Sequence, residues 1–388
     1  MSLAPFAPDS DLQRLRDDGH SVTVEESGYV VVRDVAYVTP AGVVARDGVL
    51  AYHYSESGPT DHVAFFAGEV PCKPSGTPLA FHSDGRWEVA NGVIATFQLS
   101  AKDPDHQVDA DYYVKFKRYL TILGDQAEAV EPGSSAPLFR PVLDGDPDSP
   151  FVYLDSASSR AGIYEYSRRL EQERVAIVGL GGTGSYVLDI LSKTRIGEIH
   201  LFDGDELLSH NAFRAPGAAS WADLDARPKK VDFCAEKYGV LKRGLVPHPY
   251  FLDAANANEL RDMDFVFLAM EGGDVKRELV EAMEGMGLSF IDVALDVLVM
   301  GDGLGGSVQV TASTPTKRDH LRQRVDFSNP EPDDIYSSNI QLADLNALNA
   351  VLAVIKWKKM RGFYTDGRGE HWMAYGIDAN LLANGDEE

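Results

Sequence analysis

The apolar positions of this chain follow two different periods. From residue 174 onward they come as short, nearly unbroken runs: Val175–Val178, Ile199–Phe202 with His200 inside it, and Phe265–Ala269. Runs of four to six such residues predict strands buried on both faces, as in a parallel sheet. Tyr186, Val187, Leu188, Ile190 and Leu191 predict a helix directly after the first run, and Ile340–Lys359 predicts a long closing helix. Before residue 130 the pattern is that of an α+β domain. Val22–Val24 and Tyr29–Val32 flank Ser27-Gly28 and predict a hairpin, with further strands near 36–38, 63–66 and 93–98. Ser10 is placed to cap a helix over 11–18, and Tyr113, Phe116, Tyr119 and Leu120 form one stripe of a helix over 112–123. Pro, Gly, Ser and Asp crowd residues 131–150. The reading is a smaller α+β domain over 1–140, a linker over 141–154, and an α/β domain with a mostly parallel, Rossmann-like sheet over 155–388.

The turn between the first run and its helix carries the chemistry. It reads Gly179-Leu180-Gly181-Gly182-Thr183-Gly184. Glycines at this place let the chain turn sharply and let phosphate reach the main chain, and the helix N-terminus adds free N–H groups and a positive dipole end. The second run ends on Asp203, at the position of a ribose-binding acid in a doubly wound fold, with Asp205 two residues on. A dinucleotide dehydrogenase would fit so far. Asn211, Arg214, Lys229 and Lys230 then follow, and that set of one amide and several cations suits a triphosphate better.

Gly-x-Gly-Gly-x-Gly, then Asp203-x7-Asn211-x2-Arg214, then Arg227-Pro228-Lys229-Lys230 resembles the ThiF/MoeB adenylyltransferases and the adenylation domains of ubiquitin-activating enzymes. The likeness covers roughly residues 155–360. Gly305–Val310 is similar to the family's Gly-x-Val strand, and Ala353–Trp357 to part of its closing helix. The resemblance implies ATP and Mg²⁺ as cofactors and adenylation of the C-terminal glycine carboxylate of a ubiquitin-like protein. Gly179, Gly181, Gly182, Gly184, Asp203, Asp205 and Lys230 would bind the nucleotide. Asn211, Arg214 and Lys229 would act on its phosphates. It further implies a homodimer, with an arginine from the segment before the first strand reaching a phosphate site, for which Arg160 is chosen over Arg168 and Arg169. A conjugating enzyme is a further expected partner. A catalytically silent nucleotide- or partner-binding scaffold is the alternative.

Two departures stand out. In the family the third run leads into Thr-Asp-Asn, whose Asp holds magnesium. Here it leads into Ala269-Met270-Glu271-Gly272-Gly273-Asp274, so Glu271 or Asp274 takes that role, with Glu271 preferred because it follows the strand end. The chain also has only two cysteines, Cys72 and Cys234, and so lacks the family's cysteine zinc site. The stretch Ser313–His320 stands where the crossover loop is expected and offers hydroxyls but no thiol. Cys234 reads as core. His62, Gly68 and Cys72 loosely resemble the surroundings of a conjugating enzyme's active cysteine, which keeps Cys72 open as an adduct site. His248, between Pro247 and Pro249, reads as incidental.

Composition adds exclusions. The 388 residues carry a formal charge of −24, which argues against a broad nucleic-acid-binding face. No run of about 18 apolar residues is present, so no membrane span is expected. The N-terminus has no basic-then-apolar leader, and the low cysteine count fits a reducing, cytoplasmic setting.

Overall fold

The computed structural model describes residues 10–102, 108–143, 148–329 and 340–387. The chain divides into two compact units, one of residues 1–149 with 153–164, the other of residues 150–152 with 165–388.

In the first unit Ser10 caps the helix Asp11–Asp17, its hydroxyl accepting from the Gln13 amide at 3.1 Å. Strands β1 (Ser21–Val24), β2 (Tyr29–Val38), β3 (Val44–His53), β4 (Val63–Ala67), β5 (His82–Ala90) and β6 (Val93–Ser100) follow. They form one six-stranded antiparallel sheet in the order β1-β2-β3-β4-β6-β5. The helix Tyr112–Glu128, capped by Asp111, lays Phe116, Tyr119 and Leu123 on one face of this sheet, against Val30, Val32, Leu50 and Phe66. Beneath it Lys115 is fully buried. Its ammonium donates to the carbonyls of Asp61 and Val63 at 2.8 and 2.7 Å, lies 3.4 Å from Asp109, and sits over the Tyr52 ring. Cys72 is buried, its thiol donating to the Val70 carbonyl, and burial with nearby Glu69 pushes its pKa up. It is neither open nor activated, as an attacking thiolate must be.

The second unit is built on strands β7 (Arg174–Val178), β8 (Glu198–Phe202), β9 (Leu245–His248), β10 (Phe265–Leu268), β11 (Phe290–Met300), β12 (Gly303–Ser313), β13 (Trp372–Gly376) and β14 (Leu381–Gly385). The sheet order is β14-β13-β12-β11-β10-β7-β8-β9. The five strands from β11 to β9 run parallel, and β12, β13 and β14 extend the sheet antiparallel. One face packs on the helices Gly182–Ser192 and Ala343–Met360, through Ile177, Leu188, Val354 and Trp357. The other packs on the helix Asp274–Met286, through Val178, Val266, Leu279 and Met283. Two covered faces explain why β7 and β10 read as unbroken apolar runs. Cys234 lies in the first of these cores, its thiol pushed up to about 12 by burial.

Two expectations, on the start of the closing helix and on His248, are corrected. The closing helix begins at Ala343, not Ile340. The segment after β12 is a closed turn, with reciprocal amide bonds of 3.2 Å between Thr314 and Lys317, and Ser313 is fully buried. His248 is not incidental. Along the β8–β9 edge, Glu198, His200, His248, Tyr250 and Glu259 form a chain of polar contacts of 3.3, 3.0, 2.9 and 2.5 Å. No described helix is long and apolar enough to cross a membrane.

Candidate functional site

The glycine turn joins β7 to the helix Gly182–Ser192. Gly179 has φ +91°, and a side chain on it would collide with the Ala269 carbonyl at the end of β10. A side chain on Gly184 would strike the Gly179 carbonyl, and one on Gly182 the amide of Asn346. The protein's own packing thus requires three of the four glycines. Gly181 differs: it is the helix N-cap, no side chain caps the helix there, and a Cβ on it would meet open space. Amide groups beside an open N-terminus suit an anion.

Asp203 ends β8 and is buried. One of its carboxylate oxygens accepts from the Leu180 amide at 2.7 Å, the other from the Asp205 amide at 2.8 Å. It therefore fixes the glycine turn from below, and a carboxylate has further acceptor sites for a ligand hydroxyl. The two adjacent lysines separate. Lys229 is the extended N-cap residue of the helix Lys230–Gly239, and its ammonium donates to the Gly204 carbonyl at 2.6 Å. Lys230 turns inward and is buried, 2.7 Å from Asp205 and 3.6 Å from Asp203.

Asn211 and Arg214 lie on the short helix Ser209–Ala212 and the turn after it. The Asn211 carbonyl oxygen of the side chain accepts from the Leu208 amide at 2.9 Å, but its Nδ2 is buried and has no hydrogen-bond partner among the described residues. The same holds for Nε of Arg214. Burial lowers the pKa of the Arg214 guanidinium, while Glu271 and Asp205 oppose that shift. The pKa of His210 is also lowered, first by burial and then by Arg214 and Lys230, with Asp205 opposing. Two buried donors left unanswered are costly unless a ligand acceptor completes them.

The acids after β10 also separate. Asp274 opens its helix, and its two oxygens take Arg277 at 2.6 Å and Asn329 at 2.9 Å. Glu271 is exposed and acts on Arg214 through its charge. Among the described residues no group of three or more His, Cys, Asp or Glu could hold a metal. Magnesium shared with phosphate oxygens needs only one or two carboxylates, a demand that Glu271 or Asp274 could meet, Asp274 already accepting from Arg277 and Asn329. Arg160 ends the short helix Ser156–Arg160 and lies 5.4 Å from the Phe139 ring, within the first unit.

Motif reading overlooked Asn346. This buried residue of the closing helix accepts from the Thr183 hydroxyl at 2.9 Å. The one signal for it was an amide within the apolar stretch Leu345–Ile355.

A model of the ThiF family matches residues 158–354, and one described as a domain of unknown function, DUF6791, matches residues 10–156. Ubiquitin-like modifier-activating enzyme 5 of Aedes aegypti is 35% identical over 120 residues, covering 30% of this chain and 28% of that protein. The enzyme of the same name from Culex quinquefasciatus is 34% identical over 95 residues, covering 24% and 23%. The chain therefore spans about a quarter of the length of the curated relatives it matches. Among solved structures, E. coli MccB with SeMet MccA superposes with a TM-score of 0.48 at 16% identity, over 60% of this chain and 69% of that one. PaaA gives 0.46 at 19%, over 58% and 68%.

Proposed function

Since the chain belongs to the ThiF family, we propose that it binds ATP with magnesium and adenylates a carboxylate, that of the C-terminal glycine of a ubiquitin-like protein. The observation that carries this reading is the pair of unanswered buried donors, Asn211 Nδ2 and Arg214 Nε, in the unit that holds the glycine turn. The relatives named ubiquitin-like modifier-activating enzyme 5 support the choice of partner.

In this mechanism the amides around Gly181 receive phosphate, and Asp203 accepts from the ribose while holding the turn. Asn211, Arg214 and the lysines Lys229 and Lys230 stabilise charge on the phosphates. Glu271 would hold magnesium, which when bound would supply positive charge toward the leaving group. The partner's carboxylate oxygen attacks the α-phosphorus, the bond to the bridging oxygen breaks, and pyrophosphate departs. No side chain need become a nucleophile, so catalysis is positioning plus charge stabilisation. The buried Cys72 and Cys234 agree with transfer straight from the adenylate to a separate acceptor, such as a conjugating enzyme. A homodimer, with Arg160 supplied across its interface, belongs to the same proposal.

The commitment of Asp274 to Arg277 and Asn329 favours a second reading, a nucleotide-binding scaffold without turnover. Calorimetry with Mg-ATP and with NAD tests the first step: ATP should bind and NAD should not. Tight NAD binding without ATP binding overturns the adenylation reading. ATP binding without pyrophosphate exchange, in the presence of ubiquitin-like proteins ending in glycine, leaves the scaffold. Light scattering tests the dimer, and a monomer that still catalyses exchange refutes it.

A further inference from the structure

Asn346 sits in the first turn of the closing helix, 1% exposed. Its neighbours on that helix's buried face include Leu345, Ala350, Ala353 and Val354, so burial alone would favour leucine. An amide at such a place is costly unless its hydrogen bonds are met. Asn346 meets them at two separate parts of the candidate site. Its Oδ1 accepts from the hydroxyl of Thr183 in the glycine turn at 2.9 Å. Its Nδ2 donates to the main-chain carbonyl of Arg214 at 3.4 Å, a long contact. The same Nδ2 occupies the space that any side chain on Gly182 would need.

We propose that Asn346 is a positioning residue of the nucleotide site, holding the glycine turn and the Arg214 loop in one register so that both close on the same phosphates. The proposal rests on the nucleotide reading above. It divides the glycine pair by purpose: Gly181 leaves room for the ligand, and Gly182 leaves room for Asn346. Asn346 acts through Arg214 and the turn and need touch no substrate atom. Small displacements of a positioned group cost on the order of 10- to 100-fold.

Two measurements on the full chain test this. In calorimetry with Mg-ATP, Asn346→Leu should weaken binding roughly tenfold, and in an Arg214→Ala background the same change should weaken it little further, because the two act as one unit. Asn346→Asp keeps the acceptor for Thr183 and, when ionised, loses the donor to Arg214, so it should also weaken ATP binding. Thermal unfolding of each variant checks that it folds. The second measurement needs no nucleotide: Gly182→Ala should lower the unfolding midpoint, and adding Asn346→Ala should restore part of the loss. If wild type fails to bind ATP, the nucleotide reading falls, and the proposal with it. If wild type binds ATP while Asn346→Leu matches it, or its effect adds fully to that of Arg214→Ala, the proposal alone is wrong. Absence of any rescue of Gly182→Ala also overturns it.

Discussion

Two buried cations, Lys115 in the first unit and Arg214 in the second, are answered in opposite ways. In the first, the ammonium of Lys115 is answered on every side, by two carbonyls, by Asp109 and by the Tyr52 ring. In the second, Arg214 is half buried and its Nε is answered by nothing described, while the charges of Glu271 and Asp205 act on it. A cation whose hydrogen bonds are complete ties an architecture together. One whose hydrogen bonds are incomplete costs stability in the isolated chain, and that cost is recovered when an anion arrives.

Removal of Asp203 should have the largest effect. Asp203→Ala strips the acceptor from two amides and the more distant of two carboxylates from buried Lys230, which keeps Asp205, and should cost about 3–5 kcal/mol as well as abolishing ATP binding. Chemical denaturation and calorimetry read the two losses separately. The sharpest contrast is between Lys115→Met and Arg214→Ala. Lys115→Met should cost about 3 kcal/mol and leave ATP affinity unchanged. Arg214→Ala should leave the unfolding midpoint unchanged or higher while ATP affinity falls roughly 10- to 100-fold, the worth of a charge-assisted hydrogen bond or two. Equal stability losses in both variants would break the comparison.

A smaller effect separates the acids after β10. Glu271→Gln should raise the magnesium concentration needed for half-maximal ATP binding, whereas Asp274→Asn should lower the unfolding midpoint slightly and leave that concentration alone. The smallest effect is one of pH in the first unit. Burial, aided by Lys117, holds the pKa of His20 down at about 4, below its ordinary 6.5. The unfolded chain therefore binds a proton that the folded one refuses across that interval. His20's contribution is present above pH 6.5 and is lost as pH falls toward 4. Thermal midpoints taken across that range should decline less steeply in His20→Gln.

The sequence made the parallel part of the second unit legible for a physical reason. β7, β8 and β10 are covered on both faces, so their apolar runs need no periodicity to be seen. The antiparallel strands were harder. β5 is exposed along His82–Arg86, and β3 places Arg46, Asp47 and Gly48 within its length, so neither shows the alternation of a half-buried strand. β11 has Asp292 inside its apolar run, buried because Lys276 meets it at 2.6 Å from another element. In the candidate site, the order of glycine turn, Asp203, Asn211 and Arg214 was readable along the chain. The division of labour between Lys229 and Lys230 was not, because it turns on which residue begins a helix. Nor was Asn346, whose partner Thr183 lies 163 residues away.

The polar chain along the β8–β9 edge has an arithmetic of its own. Its four contacts each need one hydrogen, but two neutral imidazoles and one phenol between two ionised carboxylates supply three. The edge is one hydrogen short. Burial and the adjoining His200 ring hold the pKa of His248 down, so His248 does not make up the difference. The deficit falls on the longest contact, between His200 and Glu198, and there Arg174 from β7 lies 2.8 Å from the same carboxylate oxygen. A single proton drawn from acidic solvent would complete the series within β8, the strand that delivers Asp203. Slower amide hydrogen exchange along β8 on acidification, beyond the intrinsic change, would register that odd proton.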